Sequence, residues 1–508
     1  MDVLQILAAI LNPMILLLIL LGVALGIVFG AIPGLNAPIA ISLVLPFTLY
    51  MDVNRSIALI IGIYVGGISG GLISAILLRI PGAASSVTTV LDGYPMTQKG
   101  RAADALSIGT FVSFLGGLFS LVVLLLLGPY LSDLALGFGP LEYLGTVVLA
   151  LSLICVLMDG NVLRGFISVF IGLILASVGI SPIDGTQNRF TFGNVQLSSG
   201  FDVIALMLGL YAMTEVLYLS NQIDMDITVV PYKKKRFYLP ERGLLKGQAG
   251  NIFRSSVIGT FIGMLPGMGP SVAGIVSYAQ AKKTSKHPEE FGCGCVSGVV
   301  ASETANNAVT GGALIPMLSL AIPGDICTSV ILSALMMQGI SCGPLMVIES
   351  PEIFYIIVLV ALIANVFMLL LQSGTIPVTA KIIQIPRYLL LPLIAMFCST
   401  GVLAINNRVF DLQTLLAFSL LGYLLEKNHY PLMPLVLAFV LGPMFEQYYR
   451  SSLLYYDSLA GMFTEITPGL ILLMLGFLCI IYGILSEIPY TRKKIAGIKS
   501  RFRKNFKL

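Results

Sequence analysis

Three ionisable residues stand beside long uncharged stretches, and they are the first candidates for chemistry. Arg79 follows the 23-residue uncharged run 56–78, while Glu303 and Asp325 bracket another of 21 residues. Ionisable groups within apolar segments commonly mark binding sites or ion pathways. A guanidinium can bind a carboxylate through two parallel hydrogen bonds, so Arg79 is expected either to contact an anion or to reach an interface. Glu303 and Asp325 either take part in cation coupling or mark two opposite helix ends.

Four Pro-Gly pairs interrupt apolar runs, at residues 33–34, 81–82, 266–267 and 323–324. Both residue types are poor helix formers, so each pair is expected to break a helix. A helix that restarts after such a break presents free backbone N–H groups and the positive end of its dipole, which suit a carboxylate. Neutral polar side chains crowd the same places, and they can bind an anion without the cost of burying a cation.

The predicted site combines the breaks with the polar residues beside them. The predicted substrate-binding residues are Pro33, Gly34, Asn36, Ser69, Arg79, Pro81, Gly82, Pro266, Gly267, Gly269, Asn306, Asn307, Thr310, Pro323 and Gly324. Cation coupling, by Na⁺ or H⁺, is predicted for Glu303, Asn306, Asn307 and Asp325. No catalytic residue and no other cofactor is predicted. No metal site is predicted either, because the close pair Cys293 and Cys295 lacks the further ligands of a zinc site.

The elements that must hold these residues are membrane helices. The chain of 508 residues is 57% hydrophobic and 11% charged, which excludes an ordinary soluble protein. A helix needs about 20 apolar residues to cross a bilayer, and the sequence offers roughly a dozen spans and part-spans. The predicted fold is an all-α polytopic membrane protein with broken or re-entrant helices at the Pro-Gly motifs. The apolar N-terminal run lacks a basic n-region and a cleavage site, so it is expected to be a retained span.

Basic residues concentrate in three stretches, 233–254, 282–286 and 492–507. Basic loops stay in the cytoplasm, and the last stretch is expected to face anionic lipid there. Nucleic-acid binding is not expected of an integral membrane protein. The predicted organisation is an N-terminal membrane repeat unit at 1–219, a basic cytoplasmic linker at 220–251, a C-terminal membrane repeat unit with extra spans at 252–490, and a basic cytoplasmic tail at 491–508.

Two ordered pairs of motifs indicate an internal repeat. GIVFGAIPGLNAP at 26–38 is echoed by GTFIGMLPGMGPS at 259–271, and GGLISAILLRIPG at 70–82 is echoed by GGALIPMLSLAIPG at 311–324. The sequence therefore predicts a duplicated unit. Glycines spaced by four in the first copy also suit close helix packing without any ligand, so packing is the simpler explanation for them.

The charges around the third break predict how the two copies are oriented. Between Arg254 and Lys282 lie 27 uncharged residues. They make about 40 Å of helix, whereas two full crossings need about 60 Å. With both flanks in the cytoplasm, this segment must turn back partway. The equivalent flank of the first copy, 52–55, is nearly free of positive charge, so the copies are predicted to be inverted, as in many secondary transporters whose sites lie at paired broken helices.

Several ordered motifs resemble the large membrane subunit of the tripartite tricarboxylate transporters. They are the Pro-Gly-Leu at 33–35, DGYPMTQKGRAADAL at 92–106, and ETANNAVTGGALIP at 303–316, which is followed by Ile-Pro-Gly. The resemblance is dense over residues 15–345 and rests on hydropathy and length beyond them.

The resemblance implies a bacterial inner-membrane carrier that takes up citrate-like or other organic carboxylates with the help of an ion gradient. Its partners would be a small membrane subunit and a periplasmic solute-binding protein, and the sequence leaves open whether the chain forms a homodimer. Arg79 departs from the small polar residue usual in the family, which bears on substrate charge. Cys293 and Ser297 replace a usual Lys and Glu, which bears on a cytoplasmic edge. The family's motif positions fall on Pro33, Gly34, Pro81, Gly82, Asp92, Gly93, Tyr94, Pro95, Asn306, Asn307, Pro323 and Gly324.

Two other classes of function stay open on the sequence. An intramembrane aspartyl protease needs two facing Asp residues, and Asp325 would suit one half, but Asp92 and Asp159 lie in turn-like contexts. A zinc protease lacks ligands, because His287 and His429 stand in unrelated segments. A membrane scaffold subunit fits the apolar C-terminal half and leaves the repeated breaks unexplained. The sequence favours a non-enzymatic transporter, and it does not fix the substrate, the ion or the mode of movement.

Overall fold

A computed structural model describes residues 10–135, 137–157, 162–181, 188–221, 235–241, 243–340, 342–343, 346, 350–458, 461–463 and 467–487. The first-half helices are α1 (Pro13–Ala31), α2 (Ala37–Thr48), α3 (Val53–Leu78), α4 (Val87–Gln98), α5 (Ala102–Ala135), α6 (Pro140–Leu157), α7 (Val162–Ala176) and α8 (Val203–Ser220). The second-half helices are α9 (Ala249–Gly263), α10 (Gly269–Thr284), α11 (Val296–Leu320), α12 (Ile326–Met337), α13 (Pro351–Ile382), α14 (Arg387–Asn406), α15 (Val409–Lys427), α16 (Leu432–Tyr455) and α17 (Pro468–Glu487). Two short strands, β1 (Gly179–Ile180) and β2 (Asn188–Arg189), pair antiparallel.

The predicted all-α polytopic fold is confirmed. Within the described ranges, nine helices are long and apolar enough to cross a membrane. They are α1, α3, α5, α8, α13, α14, α15, α16 and α17. Helix α8 contains a π-helical segment, Leu208–Met213, a feature that is frequent at functional sites.

The chain divides into two compact units. The first comprises residues 1–136 and 202–423, and the second comprises 137–201 and 424–508. The tail predicted at 491–508 and residues 222–234 and 242 of the linker predicted at 220–251 lie outside the described residues, and the predicted boundaries stay a prediction.

In the first unit the helix order repeats: α1 to α4 is followed later by α9 to α12, with a break after the first and the third helix of each set. The chain leaves α9 at Gly263 and restarts at Gly269, where the Pro-Gly pair 266–267 was predicted to turn it. Helices of 15 and 16 residues on either side span only about 23 Å each, less than a bilayer core of about 30 Å.

Close glycine contacts recur in both copies. A Cβ atom at Gly26 of α1 would overlap the carbonyl oxygen of Ile63 in α3, and one at Gly259 of α9 would overlap the carbonyl oxygen of Ala305 in α11. Only the absence of a side chain lets these backbones approach so closely. The spaced glycines therefore do pack helices, as the simpler explanation held.

The second break has the same backbone form in each copy. Arg79 follows directly after α3 with a φ of 63°, and Ala321 follows directly after α11 with a φ of 58°. Both residues adopt the left-handed conformation that commonly ends a helix. In each copy, the glycine of the Pro-Gly pair that follows lies against the carbonyl oxygen of a glycine in the first helix of that copy. These two glycines are Gly82 and Gly324. These shared details extend the repeat from sequence to structure, while the inverted orientation in the membrane stays a prediction.

The second unit contains α6, α7, α16 and α17. Glu142, which is buried near the start of α6, accepts hydrogen bonds from the N–H groups of Gly139 at 2.9 Å and of Gly469 at 3.1 Å. Arg189 forms two hydrogen bonds with Glu446 of α16. These contacts hold helix ends and connecting segments together inside this unit.

Candidate binding site

The two breaks of each copy lie side by side. The N–H of Gly267 donates a hydrogen bond of 3.0 Å to the carbonyl oxygen of Gly324. In the first copy, Gly82 lies against the carbonyl oxygen of Gly30, three residues before Pro33. The structure therefore brings the predicted Pro-Gly residues together in pairs within each copy.

The helices that follow the breaks pack across the copies. Helix α4 of the first copy packs against α10 of the second, and α2 of the first packs against α12 of the second. Such reciprocal contact is what a two-fold relation between copies produces. The predicted Pro-Gly residues therefore precede two helix pairs, α4 with α10 and α2 with α12.

Helices α4 and α10 run in the same direction. Gly274 of α10 lies beside the hydroxyl of Thr88 in the first turn of α4. Four residues further along each helix, the hydroxyl of Tyr278 donates a hydrogen bond of 2.8 Å to Asp92. Because the contacts advance together, the N-termini of the two helices lie at the same end of the pair, and their dipoles reinforce one another there.

The N-termini of α2 and α12 are closed by their own side chains, so we call these helices the capped pair. Asn36 accepts a hydrogen bond of 3.1 Å from the N–H of Ile39. Asp325 accepts one of 2.7 Å from the N–H of Thr328 and one of 3.0 Å from the hydroxyl of Tyr64. These bonds occupy donors that an anion would otherwise use.

The N-termini of α4 and α10 have no such caps, so we call these helices the open pair. Neither Ser86, which precedes α4, nor Met268, which precedes α10, closes its helix with a side-chain hydrogen bond. The hydroxyls of Ser85, Ser86 and Thr88 are buried without a hydrogen-bond partner. A Cβ atom at Gly269 would meet no atom within 4 Å, so there is space beside the first residue of α10. Uncapped N-termini and hydroxyl groups without partners therefore occur together at this pair.

A buried carboxylate adjoins the open pair. Glu303 of α11 is 0% exposed. It accepts a short hydrogen bond from the hydroxyl of Thr89 in α4 and one of 3.1 Å from the hydroxyl of Ser113 in α5. The amide of Asn307 donates to Ser113 at 2.7 Å, and the amide of Asn306 lies against Glu303 without a hydrogen bond of good geometry. This cluster is rich in oxygen atoms and joins three helices.

Asp92 has hydrogen-bond partners that the sequence did not indicate. One carboxylate oxygen accepts hydrogen bonds from the N–H groups of Gly292 at 2.9 Å, Gly294 at 2.8 Å and Cys295 at 2.7 Å, and the other accepts from Tyr278. Asp92 therefore fixes the loop before α11 and explains the acidic residue of the DGYP motif. Only the contact across about 200 residues of sequence reveals this role.

The remaining predicted residues have other surroundings. The hydroxyl of Ser69 donates a hydrogen bond of 2.7 Å to Gln372, which joins α3 to α13. Arg79 is exposed, and its guanidinium carbon lies 5.8 Å from the ring centre of Tyr94. Thr310 is buried in α11. Whether any of these residues binds substrate stays a prediction. Among the described residues, no group of three or more His, Cys, Asp and Glu could hold a metal ion.

Comparison with known proteins gives three matches. The family model described as the tripartite tricarboxylate transporter TctA family matches residues 16–437. An Agrobacterium vitis protein named "Uncharacterized 52.8 kDa protein in TAR-I ttuC' 3'region" is 33% identical over 455 residues, which are 90% of each chain. Another from that organism, named "Uncharacterized protein in TAR-II ttuC' 3'region", is 35% identical over 237 residues, which are 47% of this chain and 98% of that protein. No solved structure matches the chain.

Proposed function

The chain belongs to the tripartite tricarboxylate transporter TctA family, and on that premise we propose that it carries organic carboxylates into bacteria across the cytoplasmic membrane. An ion gradient drives the uptake as symport. A periplasmic solute-binding protein delivers the di- or tricarboxylate, and a small membrane subunit completes the complex. That the chain is a multi-pass membrane subunit of a transporter follows from its family and from its apolar helices.

The observation that carries the proposal is the open pair. Two parallel helices present uncapped N-termini at one place, and the buried hydroxyls of Ser85, Ser86 and Thr88 have no protein partner there. A carboxylate accepts several hydrogen bonds and is stabilised by the positive end of a helix dipole. Discontinuous helices whose N-termini face anionic groups are the usual substrate sites of secondary transporters. The site therefore suits an anion and needs no buried cationic side chain.

Neutral hydrogen-bond donors also suit a carrier, which must release its substrate after binding it. A buried ion pair is costly to form and to break, whereas neutral N–H and hydroxyl donors each contribute about 1 kcal/mol net. A substrate held by such donors can leave on the other side of the membrane. The structure adds no support for the protease alternative, because Asp325 caps α12 and Asp92 binds the loop before α11.

Uptake into proteoliposomes tests the proposal. Vesicles would contain the chain with its small membrane subunit, and labelled succinate, malate and citrate would be offered with and without the solute-binding protein. Imposed Na⁺ and H⁺ gradients would be compared with equal ion concentrations on both sides. We expect accumulation that needs both the binding protein and a gradient. The absence of uptake in every combination would contradict the carrier function.

A further inference from the structure

The surroundings of Glu303 point to the identity of the coupling ion. We propose that Glu303, with Thr89, Ser113 and Asn306, binds one sodium ion next to the carboxylate site. The inference rests on the proposed carrier function for its purpose, but the ion site itself is defined by contacts among α4, α5 and α11.

Charge is the first argument. Glu303 is fully buried, and its neighbours in the described part of the chain are neutral hydroxyl and amide groups rather than basic side chains. An ionised carboxylate without a counter-charge is very costly in such an environment. One monovalent cation would neutralise it, whereas a divalent cation would leave a buried positive charge.

The chemistry of the neighbouring atoms is the second argument. Hard cations take oxygen ligands, and this cluster offers both carboxylate oxygens of Glu303 and the hydroxyl oxygens of Thr89 and Ser113. The hydroxyl of Ser302 lies 3.4 Å from that of Thr89 and adds a further oxygen at the edge.

The buried amide of Asn306 adds to this cluster. Its side chain is 0% exposed and lies against Glu303, and both its oxygen and its nitrogen lack a hydrogen-bond partner of good geometry. A sodium ion between the two side chains would bind that oxygen and the carboxylate together, which gives the buried amide a partner.

The two sites share the first turn of α4. Thr88, whose free hydroxyl faces the open pair, is followed directly by Thr89, whose hydroxyl contacts Glu303. On the neighbouring face, Gly274 of α10 lies beside Thr88. A cation that fixes Thr89 would therefore hold the start of α4 in place for the carboxylate. Each ligand would raise the affinity for the other, as symport requires.

Direct binding of ²²Na⁺ to the purified detergent-solubilised chain tests the inference without substrate, partner or transport. We expect saturable binding that unlabelled Na⁺ displaces and K⁺ displaces poorly, at pH 6 as well as at pH 8. Absence of saturable binding by the wild-type chain would overturn the inference, and it does not depend on the folding of any variant.

Variants locate the site. We expect Glu303→Gln to abolish ²²Na⁺ binding and both Thr89→Val and Asn306→Leu to weaken it about tenfold or more, because contacts to an ion exceed neutral hydrogen bonds in strength. Asp325→Asn removes another buried carboxylate, which lies outside this cluster at the start of α12, and should leave binding intact. Retention of binding in Glu303→Gln, or its loss in Asp325→Asn alone, would overturn the assignment.

Failure of this inference is distinguishable from failure of the carrier function. Carboxylate uptake driven only by a proton gradient, in a chain that binds no ²²Na⁺, would refute the sodium site and support the carrier function. Saturable ²²Na⁺ binding that depends on Glu303, in a chain that transports no carboxylate, would support the sodium site and refute the carrier function.

Discussion

Tyr278 donates a hydrogen bond of 2.8 Å to Asp92 and thereby joins the broken helices of the two copies. The other oxygen of Asp92 accepts three backbone N–H groups before α11. We expect Asp92→Ala to lower the free energy of unfolding by at least about 2 kcal/mol, because three backbone N–H groups and the Tyr278 hydroxyl lose their charged acceptor. Thermal unfolding of the purified protein in detergent would measure the loss. Tyr278→Phe removes a single bond and should cost less than half as much; equal losses in the two variants would contradict this division of roles.

The hydroxyl of Thr88 is predicted to bind the substrate carboxylate. Thr88→Val keeps the shape of the side chain and removes the donor, so we expect kcat/KM for carboxylate uptake to fall about threefold to tenfold. Thr97→Val provides a control on the same helix, because the Thr97 hydroxyl already donates to the carbonyl oxygen of Ile76. Uptake per inserted molecule should be normal in that control. An effect of the same size in both variants would show that a general change in α4 is being measured.

Glycine packing between α9 and α11 is predicted to be essential for stability. Gly259→Ala would place a methyl group on the carbonyl oxygen of Ala305, so we expect a loss of about 1–3 kcal/mol from overpacking. Gly250→Ala in the same helix meets no atom within 4 Å and should be neutral or slightly stabilising. The melting temperatures of the two variants in detergent would be compared. A stable Gly259→Ala protein would show that the two backbones are further apart.

Asp325 is predicted to act as a helix cap. Asparagine caps helices about as well as aspartate, so Asp325→Asn should retain most of the stability and the uptake activity. Asp325→Ala should lose about 1–2 kcal/mol, since Thr328 and Tyr64 lose their acceptor. Unfolding midpoints and uptake rates would be measured for both. Complete loss of uptake in a stable Asp325→Asn protein would assign the carboxylate a direct part in transport.

Asn307 is predicted to position the cluster around Glu303. Its amide donates to Ser113 at 2.7 Å and to the carbonyl oxygen of Glu303 at 3.2 Å. We expect Asn307→Leu to impair uptake severely with normal membrane insertion, while Cys293→Ala at an exposed position is silent. Quantified protein in the vesicles would normalise the rates. A dead Cys293→Ala protein beside an active Asn307→Leu protein would place the site elsewhere.

The breaks and the repeat could be predicted because they depend on local sequence. Pro266 and Gly267 have low helix propensity wherever they occur, and the charge-free segment between Arg254 and Lys282 is too short for two crossings. The structure accordingly stops one helix and starts another between Gly263 and Gly269. The presence of helices and the position of this break could therefore be predicted without knowledge of any contact.

The division into a capped and an open pair could not be predicted, because it depends on contacts between distant residues. Asn36 is a good helix cap and occupies its own N-terminus, yet it was expected to bind substrate. Ser113 gives no signal in its apolar span, and its contact with Glu303 appears only when α5 packs against α11. Polar residues near a break can be identified from sequence, but their remaining hydrogen-bonding capacity cannot.

Substrate protection of single cysteines at the two helix pairs is the most direct measurement of where the carboxylate binds. Ser271 lies in the first turn of α10 in the open pair, and Ile326 begins α12 in the capped pair; both side chains are half-buried. Each would be replaced by cysteine and alkylated with a maleimide, and the exposed native Cys293 would serve as an internal control. We expect a transported carboxylate to slow alkylation of Ser271→Cys and to leave Ile326→Cys and Cys293 unaffected. Protection of Ile326→Cys without protection of Ser271→Cys would contradict binding at the open pair.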